Sequence, residues 1–117
     1  MPPILRYVVE FVADMDRAIR FYRDSLGLPV RSQSPQWSEF STGEITLALR
    51  LASEANPPGT IQLGFSAADL SAAYQALVQC GVRFTQPPTR DDLGRMTAEF
   101  LDSEDAPCSM GEAPAAP

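Results

Sequence analysis

The chain contains the same local pattern twice, and this repeat limits the fold more than any other feature. Each copy has an apolar strand-like run, an Asp, an amphipathic segment and a Gly, with the Asp and Gly at Asp14 and Gly27 and again at Asp69 and Gly81. The Asp pair is separated by 55 positions (69 − 14) and the Gly pair by 54 (81 − 27). Asp caps helix N-termini, and Gly ends helices in the left-handed conformation. A period near half the chain length predicts two modules rather than a solenoid.

The spacing of apolar residues predicts the same order of elements in both modules. The first module is predicted as a strand, a helix and three strands, over residues 4–12, 14–26, 28–33, 37–41 and 45–51. The second is predicted over 60–66, 69–80, 82–85, 95–101 and 108–110, with a loop at Gln86-Pro87-Pro88. In the first helix, the predicted apolar stripe is Ala18, Phe21, Tyr22 and Leu26.

The predicted organisation is one domain over residues 1–117. Module one covers about 4–52, a linker rich in Pro and Gly covers 53–59, module two covers about 60–112, and 113–117 form a tail. A chain of this length has room for one compact core.

Charge excludes two classes of partner. Fifteen acidic residues face nine basic ones, all Arg, and the chain has no His, so its net charge is −6. Nucleic-acid backbones and anionic membranes require clustered basic residues, so neither is an expected partner. The net charge favours cationic ligands through long-range steering, or serves only to keep the protein in solution.

The remaining sequence signals predict a cytoplasmic location. Cys80 and Cys108 are too few for a disulfide framework or a zinc site, and we interpret them as free thiols with at least one buried. The N-terminus lacks the pattern of a signal peptide, and no apolar run approaches the length of a membrane span.

Three strings identify a family resemblance. The first is FYRDSLGL at 21–28, following the strand and Asp14; the others are LGF at 63–65, before Asp69, and FLD at 100–102. Over residues 4–112 the chain resembles the vicinal oxygen chelate superfamily, which includes glyoxalase I, extradiol dioxygenases and bleomycin-resistance proteins. The resemblance implies an α+β fold of two tandem βαβββ modules, forming an open barrel-like curved sheet with the helices outside. It also implies a homodimer, which would cover sheet edges.

Enzymes of this superfamily bind a divalent metal at matched positions of the two modules. In this chain the resemblance places those positions at Tyr7, Ala48, Gln62 and Ser109. Only Gln62 has a suitable donor, whereas a metal centre needs several carboxylates or imidazoles. We therefore expect no metal, no cofactor and no catalytic residues. The closing turn at 102–106 lacks the family's Gly, which predicts a different turn shape.

Strand alternation predicts which side chains line a pocket. Aromatic walls with a few polar groups suit a planar or amphipathic organic ligand. The alternative for the aromatic residues is an ordinary core or dimer interface, and for Arg50 and Arg95 it is ion pairing at the surface or between subunits. We interpret Glu10 as structural, pairing with Arg17 or Arg20, and Glu39 and Glu99 as solvated or ion-paired. The predicted pocket residues are Tyr7, Phe11, Trp37, Arg50, Gln62, Glu99 and Ser109.

Three function hypotheses remain open from the sequence. The first is a metal-free protein that binds a small organic molecule, aromatic or cationic. The second is a lyase, isomerase or dioxygenase with a non-standard metal site, which the absence of His disfavours. The third is a dimeric interaction module without a ligand.

Overall fold

The computed structural model describes residues 2–91 and 94–112, which form two compact units. The first unit comprises Arg6–Gln62, and the second comprises residues 63–112 together with residues 2–5. The α+β class and the repeated βαβββ order are confirmed. The strands are β1 (Ile4–Val12), β2 (Val30–Ser32), β3 (Trp37–Ser41), β4 (Thr46–Leu51), β5 (Ile61–Ala67), β6 (Phe84–Arg90), β7 (Met96–Leu101) and β8 (Pro107–Glu112). The helices are α1 (Met15–Arg20), which continues as a π-helical turn (Phe21–Ser25), and α2 (Leu70–Gln79).

Both helices begin in the predicted way. The Arg17 N–H donates to Asp14 Oδ1 at 3.1 Å, and the Ala72 N–H donates to Asp69 Oδ1 at the same distance. The backbone angles of the two capping residues also agree, with φ −133° and ψ 107° at Asp14 and φ −132° and ψ 102° at Asp69. Each cap satisfies a backbone donor that the helix leaves without an internal partner. In both modules the helix is therefore N-capped by an Asp side chain in the same way.

The two units also share one strand order. In the first unit the order is β2-β3-β4-β1, and in the second it is β6-β7-β8-β5. In each, the strand before the helix pairs in parallel with the last strand, and the hairpin pairs are antiparallel. Within the described residues neither order of four closes on itself. No helix of this part of the chain combines the length and apolar composition of a membrane span.

The core of the first unit lies between α1 and its sheet, and it corrects the predicted helix stripe. Met15 and Ile19 are the buried helix residues, whereas Phe21 and Leu26 are 51% and 56% exposed. Leu26 N–H donates to Phe21 O, five residues back, at 3.1 Å. This wider turn adds a residue to the helical repeat and rotates Leu26 away from the sheet. Ala18 and Tyr22 do pack on the core, as predicted.

The second unit has a smaller core, under α2. Leu70, Ala98 and Met110 are each no more than 1% exposed. Phe84 and Phe100 extend this core, with ring centroids 5.5 Å apart. Met96, Ala98 and Phe100 share one face of β7, and all three belong to the cluster that includes Leu70 of the helix.

The predicted loop at 86–88 is wrong, because β6 continues through it to Arg90. The strand tolerates Pro87 and Pro88 for two reasons. Its register against β7 shifts on either side of Gln86, which releases ladder hydrogen bonds. β6 is also an edge strand, so on its outer side no neighbouring strand needs the N–H group that a proline lacks.

The last strand is longer than predicted, because β8 runs from Pro107 to Glu112. In the turn before it, Asp105 takes a φ of 59° in place of a glycine. The Asp102 carboxylate supports that strained position by accepting from the N–H groups of Glu104 and Ala106 at 2.8 and 2.9 Å. Cys108 in β8 is buried, while Cys80 is exposed, and both are free thiols as predicted. The predicted tail at 113–117 lies outside the described residues.

Removing the Asp69 side chain tests whether it caps the N-terminus of α2. We expect Asp69→Ala to lower the free energy of unfolding by about 1 kcal/mol, because the Ala72 N–H loses its acceptor. Asp69→Asn keeps an acceptor and should stay close to the parent. Urea unfolding followed by circular dichroism measures both variants. Equal losses in the two variants would contradict the cap.

Candidate functional site

The first unit brings four predicted pocket residues onto one face of β1, β3 and β4. Phe11 pairs in register with Arg50, and Arg50 pairs with Trp37 on its other side. Tyr7 shares the face because it is separated from Phe11 by an even number of residues. Phe11 and Ala48 are buried there, and the rings of Tyr7 and Trp37 pack against them. We call the set Tyr7, Phe11, Trp37, Ala48 and Arg50 the aromatic face.

Hydrogen bonds fix the position of Trp37 on this face. Its indole Nε1–H donates to Glu39 Oε2 at 2.8 Å, and its ring meets Tyr7 edge-on with centroids 6.3 Å apart. Its backbone N–H donates to Ser34 Oγ at 3.1 Å, and Ser34 Oγ donates to the Trp37 carbonyl at 2.7 Å. These contacts fix the orientation of the indole ring on the face.

Strand alternation predicts Thr46 on the same face as Ala48 and Arg50, but sequence reasoning did not place Arg31 in the site. The Arg31 guanidinium donates to Glu39 Oε1 from Nε at 3.2 Å and from Nη2 at 2.9 Å. Arg31 Nη2 also donates to the Thr46 hydroxyl, which is buried beside the aromatic face. The ion-paired interpretation of Glu39 is therefore correct, and its charge holds Trp37 in place. In the sequence, the contact between Glu39 and Trp37 is indicated by their spacing, because residues two apart on a strand lie on the same face.

Arg50 differs from the other arginines with contacts in this unit. Its guanidinium carbon lies 5.8 Å from the centre of the Phe11 ring, within range of a cation–π interaction. No carboxylate of the residues that the structure describes makes an ion pair with it. The ion pair expected for Arg95 is present, to Asp91 at 3.1 Å. The one expected for Arg50 is not found within 2–91 and 94–112.

The second unit contains Glu99 and Ser109, which face each other on β7 and β8. Ser109 also pairs with Gly64, just as Ala48 pairs with Val9 in the first unit. The offset from Val9 to Gly64 is 55 (64 − 9), equal to that of the capping Asp pair. The register therefore supports matching Ser109 with Ala48. Gln62, at the end of the first unit, is 7% exposed.

Comparisons with known proteins agree on the fold. A sequence profile of the Glyoxalase/Bleomycin resistance protein/Dioxygenase superfamily matches residues 4–105. The chain belongs to this superfamily. No curated protein matches the sequence.

Solved structures of superfamily fold resemble the chain at low sequence identity. A methylmalonyl-CoA epimerase variant from Streptomyces coelicolor, bound to 2-nitronate-propionyl-CoA, has a TM-score of 0.79 at 17% identity, covering 97% of this chain and 98% of that one. The epimerase from Mycobacterium tuberculosis has a TM-score of 0.73 at 24% identity, covering 94% and 88%. A chain described as the NAD-dependent benzaldehyde dehydrogenase from Legionella pneumophila has a TM-score of 0.78 at 18% identity, covering 97% and 100%. These likenesses show the fold alone.

The four positions that the family resemblance assigns to metal ligands carry an unsuitable set of groups in this chain. They supply a phenol from Tyr7, a methyl group from Ala48, an amide from Gln62 and a hydroxyl from Ser109. None is a carboxylate or an imidazole, the groups that hold divalent metals in such sites. Over residues 2–91 and 94–112, no three His, Cys, Asp or Glu side chains cluster at metal-binding distance. These residues do not fit a divalent metal, and we derive no chemistry through one.

Glu10 is structural, but its partner differs from the prediction. Instead of Arg17 or Arg20, the Tyr22 hydroxyl donates to Glu10 Oε1 at 2.6 Å. Burial and this bond to a carboxylate together raise the pKa of Tyr22 to about 12. The bond ties the π-helical turn to β1, on the side of the sheet opposite the aromatic face.

Two clefts open on the first unit. One of about 820 Å³ lies between the start of α1 and residues 33–35. The other, of about 380 Å³, lies beside Glu10 and Tyr22 and reaches the linker at Pro58. Of the predicted pocket residues, only Phe11 borders either cleft. Neither cleft is therefore formed by the aromatic face, which meets the second cleft only at Phe11.

Titration tests the bond between Tyr22 and Glu10. We expect a phenol ionisation step near pH 12 that Tyr22→Phe removes and Glu10→Gln moves to lower pH. Because the pKa of Tyr22 lies above its ordinary value of 10.0, its contribution to stability is complete below pH 10 and is lost as the pH rises through 12. Ultraviolet absorbance of phenolate measures the step, and Glu44→Gln is the charge-matched control. Persistence of the step in Tyr22→Phe would contradict the assignment.

Proposed function

We propose that this chain binds a small planar organic molecule on its aromatic face, without a divalent metal. The face offers the edge and plane of oriented rings together with a few polar groups, the usual composition of a small-molecule site. Trp37 is half-buried, so part of its ring remains available to a ligand.

Ala48 is the observation that carries the proposal. At this position superfamily enzymes place a metal ligand, whereas here a methyl group is 0% exposed, packed among Val9 and Phe11. An ion beside it would lose its hydration shell and gain no donor, at large cost. The half-buried rings of Tyr7 and Trp37, which pack over this methyl group, are the apolar surface that the face can offer to an organic ring.

The proposal assigns binding and leaves reaction chemistry aside. The epimerases and the dehydrogenase resemble the chain at 24% identity or less, so their substrates do not transfer to it. The homodimer and the cytoplasmic location stay predictions. The burial of Phe11 and the packing of Trp37 on its cluster favour the alternative of an interaction module, and a dimer that binds no small molecule would support that alternative.

The single tryptophan provides a direct test of binding. We expect at least one of 2-naphthoate, 2-naphthylmethanol and 2-naphthylmethylammonium to shift the Trp37 indole N–H resonance saturably in ¹H–¹⁵N spectra. Tyr7→Ala should weaken that binding about threefold to tenfold, because an aromatic contact is lost. Val78→Ala, exposed on α2, is the control and should leave the affinity unchanged. Absence of any saturable shift with all three compounds would overturn the proposal.

A second arm tests the metal-free part. We expect dialysis against a chelator to leave the affinity of the bound compound unchanged, and elemental analysis of untreated protein to show no stoichiometric nickel, zinc, iron or manganese. A stoichiometric metal, with binding lost on chelation, would contradict this part and favour the enzyme hypothesis.

A further inference from the structure

We propose that the ligand of the aromatic face carries a carboxylate and that Arg50 binds it. This inference rests on the proposed function and names the chemical class of its ligand. It replaces the cationic ligand that the net charge of −6 favoured.

The first step is the balance of charge on the side chains described around the face. Glu39 uses both carboxylate oxygens, Oε1 toward Arg31 and Oε2 toward the Trp37 indole. Arg31 and Glu39 therefore neutralise each other. Arg50 then leaves this surface with one positive charge, opposite in sign to the chain as a whole.

The second step is the position of Arg50. It lies on β4 between Phe11 on β1 and Trp37 on β3, so aromatic side chains flank it on both sides. Its guanidinium is held over the buried Phe11 ring at 5.8 Å, yet the residue is exposed. A guanidinium that stacks on a ring keeps its N–H donors at the edge, where they can bind a carboxylate bidentately.

The third step is the shape of the ligand that fits both features. A carboxylate on Arg50 places the attached group across the face, toward the Trp37 and Tyr7 rings, which lie 6.3 Å apart. Those rings suit a flat apolar body. A cationic ligand would meet Arg50 as a like charge. Its only acidic partner described on the face would be Glu39, whose charge the ion pair with Arg31 already neutralises. The fit is therefore to a planar organic acid.

The test compares three compounds that share one ring system and differ in charge: 2-naphthoate, 2-naphthylmethanol and 2-naphthylmethylammonium. Isothermal titration calorimetry and the Trp37 indole resonance report affinity. We expect 2-naphthoate to bind about tenfold more tightly than the alcohol, and the ammonium compound most weakly. The advantage of 2-naphthoate should shrink as salt is raised, because screening weakens exposed ion pairs.

Variants assign the effect to Arg50. Arg50→Gln should remove the tenfold preference for 2-naphthoate while changing the affinity of the alcohol less than twofold. Arg50→Lys keeps the charge without the planar fork and should retain part of the preference. Arg20→Gln, exposed on α1, changes the net charge by the same amount and should leave the preference intact.

The outcomes separate this inference from the proposed function. Equal affinity for the three compounds, or a preference for 2-naphthoate that survives Arg50→Gln, overturns the inference while binding itself stands. Failure of all three compounds to shift Trp37 overturns both. Circular dichroism of each variant verifies folding, and Arg50→Lys provides the measurement if Arg50→Gln does not fold.

Discussion

The parallel pairing of β1 with β4 decides which side chains share a face in the first unit. Because Val9 is opposite Ala48 and Phe11 is opposite Arg50, every odd-numbered residue from Tyr7 to Phe11 lies on the face away from α1. A slip of one residue would exchange that face with the core. The helix side resists such a slip, since Val12 and Leu49 are buried against Met15 and Ile19. The core thereby fixes the aromatic face.

The aromatic face in turn depends on a small polar network. Glu39 satisfies Arg31 and the Trp37 indole at the same time, and Arg31 reaches the buried Thr46 hydroxyl. A half-buried carboxylate needs such partners, and the bonds that satisfy it also restrict the rotamer of Trp37. The hydrogen bonds that satisfy the Glu39 carboxylate thus also orient the Trp37 ring. A site built in this way loses little side-chain entropy when a ligand binds.

Local signals predicted much of the fold, and the parts they missed depend on partners distant in sequence. Asp14, Asp69 and the glycines act through their own backbone, so the caps and the repeat could be predicted. The exposure of Leu26 depends on a π-helical turn, and the passage of β6 through Pro87 depends on its edge position. For the site, alternation predicted that Tyr7, Phe11 and Arg50 share a face. Pairing of Arg31 with Glu39 requires the β2–β3 register, which composition does not contain.

Net charge and local charge point to opposite ligands in this chain, and distance decides between them. The net charge is a sum over the whole chain, and charges farther away than the Debye length of about 8 Å at physiological salt are screened. A guanidinium in contact with a carboxylate is not screened in this way, because no ion can come between them. The net charge of −6 therefore affects the rate at which an anion approaches the protein. In the complex that we propose, Arg50, against the Phe11 ring, determines how long the anion stays bound.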